Sequence, residues 1–217
     1  PWASSAASDV YKRQFIYLDR SSIPTIDEQR EILEKIQDKF SGTVTYRTLD
    51  IGGDKQVDYL SLPTEENPFL GVRGIRLSLK NEELYRSQIE SILTSKDANR
   101  VKIMFPMIST IEDFIKSKNI IEDTAKNLNK KIPEVGIMIE TPSSTILIED
   151  FAQYVDFFSV GTNDLTQYIM AADRGNPNLM EYHDSLHPAI LRVLENVFSV
   201  SKEYKKEVSV LSLIHIW

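Results

Sequence analysis

Six residues stand where an α/β fold does its chemistry. Arg47 lies near the end of a β-branched run, Thr43–Leu49, and Arg73 follows the turn at Pro68. Glu140 closes a nearly continuous apolar run and is followed by Thr141-Pro142, which stops it. Asn163 and Asp164 follow the run Val155–Val160 directly, and Arg174 comes ten residues after Asp164 in Asp173-Arg174-Gly175-Asn176. Guanidinium forks match phosphate and carboxylate oxygens. Two carboxylates on adjacent strands, completed by substrate oxygens, are a typical Mg²⁺ donor set. Asn163 can donate to a phosphate oxygen. Together these types suit a small, doubly anionic, phosphorylated substrate held with Mg²⁺.

Each has a plainer reading. A single Arg or Glu in a loop is usually solvated, Asn163-Asp164 can cap a helix, and Gly52-Gly53 can be an ordinary turn. His183 and His187 read as loop and capping residues. Met104, Met107, Met138, Met170 and Met180 read as core filling.

The six residues share a site only if the strands carrying them are parallel neighbours, and the pattern predicts that. Thr25-x-x-Glu28 is a capping box, followed by Ile32, Leu33, Ile36 and Phe40 on one helical face, with Gly42 as the stop. Thr43–Leu49 reads as a strand, and a loop rich in Gly, Asp and Pro follows. Phe69–Leu79 reads as a strand or short extended segment. Leu84, Tyr85, Gln88, Ile89, Ile92 and Leu93 form a helical stripe. Val101–Met107 is a strand, and Ile111, Phe114, Ile115, Ile121, Ala125 and Leu128 mark a longer helix. Glu134–Glu140 and Val155–Val160 read as strands buried on both faces, with a helix over Ser143–Phe151 between them. Pro188 opens a helix whose Ile190, Leu191, Leu194, Val197 and Phe198 face inward, and Glu207–Val210 starts another strand. Phe15–Leu18 is a short strand end. Repeated βα units give a parallel sheet with its ligands at the carboxyl ends of the strands.

Composition narrows the field. The chain has 217 residues, 41% apolar and 26% charged, an ordinary globular balance. It has no cysteine, which excludes a disulfide framework or a cysteine nucleophile within it. Its net charge is −7, so a general nucleic-acid binder is not expected. No apolar run is long enough to span a bilayer and no secretory signal is visible, so a cytoplasmic protein without membrane insertion is expected. The terminal strings 1–14 (PWASSAASDVYKRQ) and 211–217 (LSLIHIW) resemble translated adapter DNA. They are expected to be non-native tails around a domain at 15–210.

The motifs YRTLDIGGDK (46–55), NPFLGVRGIR (67–76), IMFPMI (103–108), VGIMIETP (135–142), FFSVGTNDLTQY (157–168) and DRGN (173–176) come in unbroken order. Together they resemble the PEP-binding domain of the Enzyme I family, the phosphoenolpyruvate–protein phosphotransferases of the bacterial sugar phosphotransferase system. The resemblance implies an α/β fold, a (β/α)₈ TIM barrel, incomplete here with about strands 2–6 and parts of 1 and 7. It implies Mg²⁺ as cofactor, phosphoenolpyruvate and pyruvate as substrate and product, a homodimer through the barrel, and transfer through a histidine of another domain to the carrier HPr. Residue by residue it assigns Arg47, Arg73, Asn163, Asp164 and Arg174 to substrate and Glu140 and Asp164 to metal. Three departures stand out. The family's Arg-Thr-Glu before FIYLDR is replaced by Lys12-Arg13-Gln14. Its Cys-Gly-Glu, whose Cys protonates the enolate, has no counterpart after Val208-Ser209-Val210. The family's phospho-accepting histidine is expected to lie in a domain outside these residues. The chain as written is therefore expected to be inactive alone and, with open strand edges, prone to aggregate. A pyruvate phosphate dikinase or PEP synthase barrel, or a non-catalytic PEP-binding or dimerisation module, are the alternatives.

Overall fold

The computed structural model describes Tyr17 and residues 20–52, 59–60 and 64–211. Apart from Tyr17, the strand expected at Phe15–Leu18 lies outside these residues, as do Gly53 and all of the expected tails except Leu211.

Five strands form one parallel sheet: β1 (Val44–Arg47), β2 (Val101–Phe105), β3 (Glu134–Ile139), β4 (Phe157–Gly161) and β5 (Glu207–Leu211). Their order in the sheet is their order in the chain, and every neighbouring pair is parallel. Each crossover thus steps to the next strand, as in a (β/α)₈ barrel, of which this sheet is an incomplete part. The helices are α1 (Ile26–Lys39), α2 (Ile75–Lys80), α3 (Glu82–Leu93), α4 (Ile111–Leu128), α5 (Pro142–Ile146), α6 (Ile148–Ala152), α7 (Thr162–Ile169) and α8 (Pro188–Glu203). Among the described residues no helix is long and apolar enough to cross a membrane.

The main core lies between sheet and helices. Ile103, Phe105, Ile137, Ile139, Phe158 and Val160 meet Ile89, Phe114, Phe151, Leu194 and Val197 from the helices. The alternate strand residues Met104, Met138 and Phe157 cluster on the opposite, inner face. The expected capping box is present: Glu28 N–H donates to Thr25 Oγ1 at 3.2 Å, and Thr25 N–H donates to Glu28 Oε2 at 2.8 Å.

Several expectations are corrected. Phe69–Leu79 is no strand: it is a 3₁₀ turn (Pro68–Leu70) followed by α2. The alternation Ile75-x-Leu77-x-Leu79 mimics period two, but Gly74 at φ 55° turns the chain into a helix too short to show its own period. The single helix at Ser143–Phe151 is two, meeting at Leu147. Helix α1 stops at Lys39 with Phe40 as its cap, before Gly42. On α8, Leu191 and Phe198 face outward at 45% and 42% exposure, because the buried stripe of Ile190, Leu194 and Val197 is narrower than the apolar pattern. Ile115 and Met180 are likewise exposed.

Candidate active site at the carboxyl rim

The strand ends place the expected residues on one rim. Arg47 is the last residue of β1, Glu140 directly follows β3, and Asn163 and Asp164 lie in the first turn of α7, which continues β4 without a loop. Beyond β1, Thr48 N–H still donates to Met104 O at 2.9 Å. Alternation then buries Leu49 and Ile51 with Leu60, Leu77 and Leu84, and turns Asp50 toward the rim.

Asp50 and Arg73 are the centre of the charge cluster. Arg73 Nε and Nη2 donate to Asp50 Oδ1 at 3.3 and 3.1 Å, and Nη2 reaches Oδ2 at 3.0 Å. Its Nη1 donates to Asp164 Oδ1 at 2.9 Å and to the Tyr168 hydroxyl at 3.3 Å. Arg47 Nη1 donates to Asp50 Oδ2 at 3.2 Å, and Arg174 Nη1 lies 3.5 Å from Asp164 Oδ1. The Phe69 ring has the Arg73 and Arg174 guanidinium carbons 5.9 and 5.0 Å from its centroid, within cation–π range. Burial opposes the Arg73 charge, yet Asp50, Asp164 and Glu140 outweigh it and raise the pKa above its ordinary value.

Glu140 is fully buried. Its Oε1 accepts from Met107 N–H at 2.5 Å, and its Oε2 has no hydrogen-bond partner. Met107 reaches it from a left-handed backbone, φ 58°, a conformation that costs a non-glycine residue about 1–3 kcal/mol. Gly161 leaves room for the carboxylate: a Cβ there would lie 2.7 Å from Oε2. Burial, then Asp164 and Asp50, push the Glu140 pKa up to about 8, against the pull of Arg47 and Arg73.

These donors fit a hard divalent cation. A buried carboxylate oxygen without a partner, electrostatically coupled to a second carboxylate, is what such an ion satisfies. Among the described residues no group of three or more His, Cys, Asp or Glu converges. Glu140 and Asp164 are the two carboxylates here that could hold such a cation, with its remaining positions open to substrate oxygens or water.

Arg47, Arg73, Asp164 and Arg174 are joined by ion pairs, and Glu140 is coupled to them by charge. Asn163 sits half-buried beside Asp164. Sequence reasoning missed Asp50, Phe69, Met107, Gly161 and Tyr168. Two had a usable signal: Asp50 is three residues after Arg47, and Tyr168 is one helical turn after Asp164. His187 is a cap: its Nδ1 accepts from Ala189 N–H at 3.2 Å at the start of α8.

Residues 9–211 match the family described as PEP-utilising enzyme, PEP-binding domain. The chain is 42% identical over 209 residues to the phosphoenolpyruvate-protein phosphotransferase of Latilactobacillus sakei, covering 93% of this chain and 36% of that protein. It is 42% identical over 207 residues to the protein of the same name from Bacillus subtilis, covering 92% and 36%. The multiphosphoryl transfer protein of Rhodobacter capsulatus is 42% identical over 195 residues, covering 89% and 24%. The chain thus spans about a third of the length of the two phosphotransferases. A citrate lyase from Burkholderia xenovorans superposes with a TM-score of 0.53 at 15% identity, over 85% of this chain and 61% of that one, a likeness of fold alone. The resemblance drawn from the motifs is borne out by these relatives. Since the matched span takes in all five strands and every residue of the charged rim, the chain belongs to the PEP-binding domain family of the PEP-utilising enzymes.

Proposed function

We propose that the rim binds phosphoenolpyruvate together with Mg²⁺, and that the chain is the PEP-handling domain of a phosphoenolpyruvate–protein phosphotransferase. The observation that carries this reading is the buried, unpartnered Oε2 of Glu140 beside a cluster of arginines. A carboxylate left without a partner at zero exposure would be costly unless a cation meets it.

Arg47, Arg73 and Arg174 bind the phosphate and carboxylate oxygens, and Asn163 donates to a phosphate oxygen. Glu140 and Asp164 hold the metal, which when bound supplies positive charge to the phosphate and the enolate oxygen. In the transfer, the P–O bond to the enol oxygen breaks and a P–N bond to a protein histidine forms. The enolate then takes a proton at its methylene carbon and leaves as pyruvate. Catalysis of this kind is mainly positioning and charge stabilisation, which is what a prearranged set of guanidiniums provides. The phosphohistidine passes its phosphoryl group to HPr in the sugar phosphotransferase system of the cytoplasm, and two copies pair through the barrel.

Calorimetric titration of the intact protein with phosphoenolpyruvate, with and without Mg²⁺, tests this. Strong binding should need Mg²⁺ and should lose that dependence in Glu140→Gln. Unchanged Mg²⁺ dependence in the variant would refute the metal assignment. Absence of binding by the folded wild-type protein in saturating Mg²⁺ would refute the substrate.

A further inference from the structure

We propose that Gln88, on α3, is a positioning residue for the substrate site: its side chain fixes the backbone between Arg47 and Asp50. The inference rests on the reading of the rim as a phosphoenolpyruvate site.

The sheet hands the chain over at Leu49. Thr48 N–H still bonds to β2, through Met104 O at 2.9 Å. The next amide, Leu49 N–H, points by strand alternation to the opposite edge of β1, where it donates to Gln88 Oε1 at 3.0 Å. A side chain thus takes the place of a strand partner at the first step beyond the ladder. Both ends of the contact are buried, Gln88 at 2% and Leu49 at 4% exposure.

The orientation of the amide is forced. A backbone N–H only donates, so Gln88 must present its oxygen to Leu49 and its amino group to the other side. There Nε2 donates to the hydroxyls of Tyr17 at 3.1 Å and Tyr46 at 3.4 Å. Tyr17 in turn donates to Gln29 Oε1 at 2.6 Å. Oxygen and nitrogen each have partners that the other could not serve equally, so the amide has one stable setting. An amide in the apolar stripe of Tyr85, Ile89 and Ile92 would be unfavourable without these bonds.

The consequence falls on the rim. Leu49 is bonded covalently to Asp50, whose carboxylate orients both Arg73 and Arg47 through contacts of 3.0–3.3 Å. Hydrogen bonds at these lengths weaken markedly if the carboxylate moves by about 0.5 Å. Gln88 therefore acts on the substrate arginines through Leu49 and Asp50, without touching either arginine.

Three variants in the intact protein separate this role from general stability. Each is measured by thermal melting and by calorimetric titration with phosphoenolpyruvate in saturating Mg²⁺. Gln88→Leu removes the acceptor for Leu49 and should weaken binding about tenfold, the loss expected for one buried hydrogen bond. Gln29→Leu breaks the far end of the same network; it should lower the melting temperature comparably but leave affinity within about twofold. Gln88→Glu keeps an acceptor for Leu49 and should recover most of the affinity despite a lowered melting temperature. Wild-type affinity in Gln88→Leu, or an equal loss in Gln29→Leu, would overturn the inference. Hydrogen exchange in the wild-type protein gives a reading that no folding defect can spoil. The Leu49 amide should be protected, and exchange at open-loop rates would overturn the inference. A wild-type protein that does not bind phosphoenolpyruvate would instead refute the reading of the rim.

Discussion

A methyl group on Gly161 tests the proposed metal site without altering any charge. Gly161 has φ −93°, so alanine there meets no left-handed strain. The obstacle is space: the new Cβ would lie 2.7 Å from Glu140 Oε2, 2.8 Å from Met138 Cε and 3.2 Å from Glu140 Cβ. An ordinary contact is about 3.5 Å, so the carboxylate or the end of β4 must give by about 0.8 Å. The Met138 methyl is a flexible end and can turn aside. Glu140 cannot follow so easily, because Met107 N–H holds its other oxygen at 2.5 Å. Overpacking of this kind costs about 1–3 kcal/mol. Falling on the metal-bound state, that corresponds to a weakening of Mg²⁺ by about fivefold to 150-fold. The assay is phosphoenolpyruvate binding at stepped Mg²⁺ concentrations, with a melting curve as the control for folding. Gly161→Ala should shift the Mg²⁺ midpoint upward while the melt stays cooperative. A folded variant with the wild-type midpoint would refute Glu140 Oε2 as a metal ligand.

Arg73→Met would leave Asp50 and Asp164 buried without their main partner; a loss of about 3–5 kcal/mol is expected in denaturant unfolding, and a loss below about 1 would contradict the geometry. Arg73→Lys keeps the charge but not the fork, so phosphoenolpyruvate affinity should fall at least about tenfold with a smaller change in stability. Phe69→Leu removes the ring beside two guanidiniums; at about 0.5–1 kcal/mol per contact the two together correspond to binding about 5- to 30-fold weaker, read by titration. In metal-chelated protein, Glu140 ionises near 4.5 when unfolded and near 8 when folded. The folded state then holds the extra proton between those values, so stability should fall as pH rises from about 4.5 to 8. Glu140→Gln should flatten that slope in pH-dependent melts.

The parallel sheet was legible because its strands obey one rule: buried on both faces, they read as apolar runs, and β2 and β3 fall within the expected spans while β4 ends one residue beyond its own. Helix α4 was legible from its period and the capping box of α1 from two residues. The segment around Arg73 was not, since a helix of six residues after a glycine turn has no room to display a 3.6-residue period. The outward turn of Leu191 and Phe198 was hidden too, because an apolar pattern shows which residues can be buried, not how wide the covering surface is. The positions of Arg47, Glu140 and Asp164 followed from strand ends. Asp50 did not, because its importance lies in the arginines it holds, one of them 23 residues away. Gln88 was visible as part of a helical stripe, but its partner Leu49 lies 39 residues away and leaves no local mark.

The balance of charge on the rim argues for linked binding of metal and substrate. Arg47, Arg73 and Arg174 stand against Asp50, Asp164 and a Glu140 whose pKa, pushed up to about 8, keeps its proton on at neutral pH, so without metal the cluster carries about one net positive charge. One positive charge is a weak match for a substrate carrying a phosphate of about −2 and a carboxylate. The arginines are not equivalent in what they have to offer. All three nitrogens of Arg73 already donate, to Asp50, Asp164 and Tyr168. Its role is to hold the two carboxylates in place as much as to grip a ligand. Arg47 makes one carboxylate contact at 3.2 Å and one to the Met138 sulfur at 3.8 Å, while Arg174 has a 3.5 Å ion pair with Asp164. These two have donor capacity to turn toward an incoming anion. A divalent cation at Glu140 and Asp164 would displace the Glu140 proton, raise the net charge of the cluster by about one, and draw Asp164 away from competing with substrate for Arg174. Metal and anion then each improve the site for the other, and that reciprocity is why affinity for phosphoenolpyruvate should rise with Mg²⁺ and affinity for Mg²⁺ with phosphoenolpyruvate by the same factor.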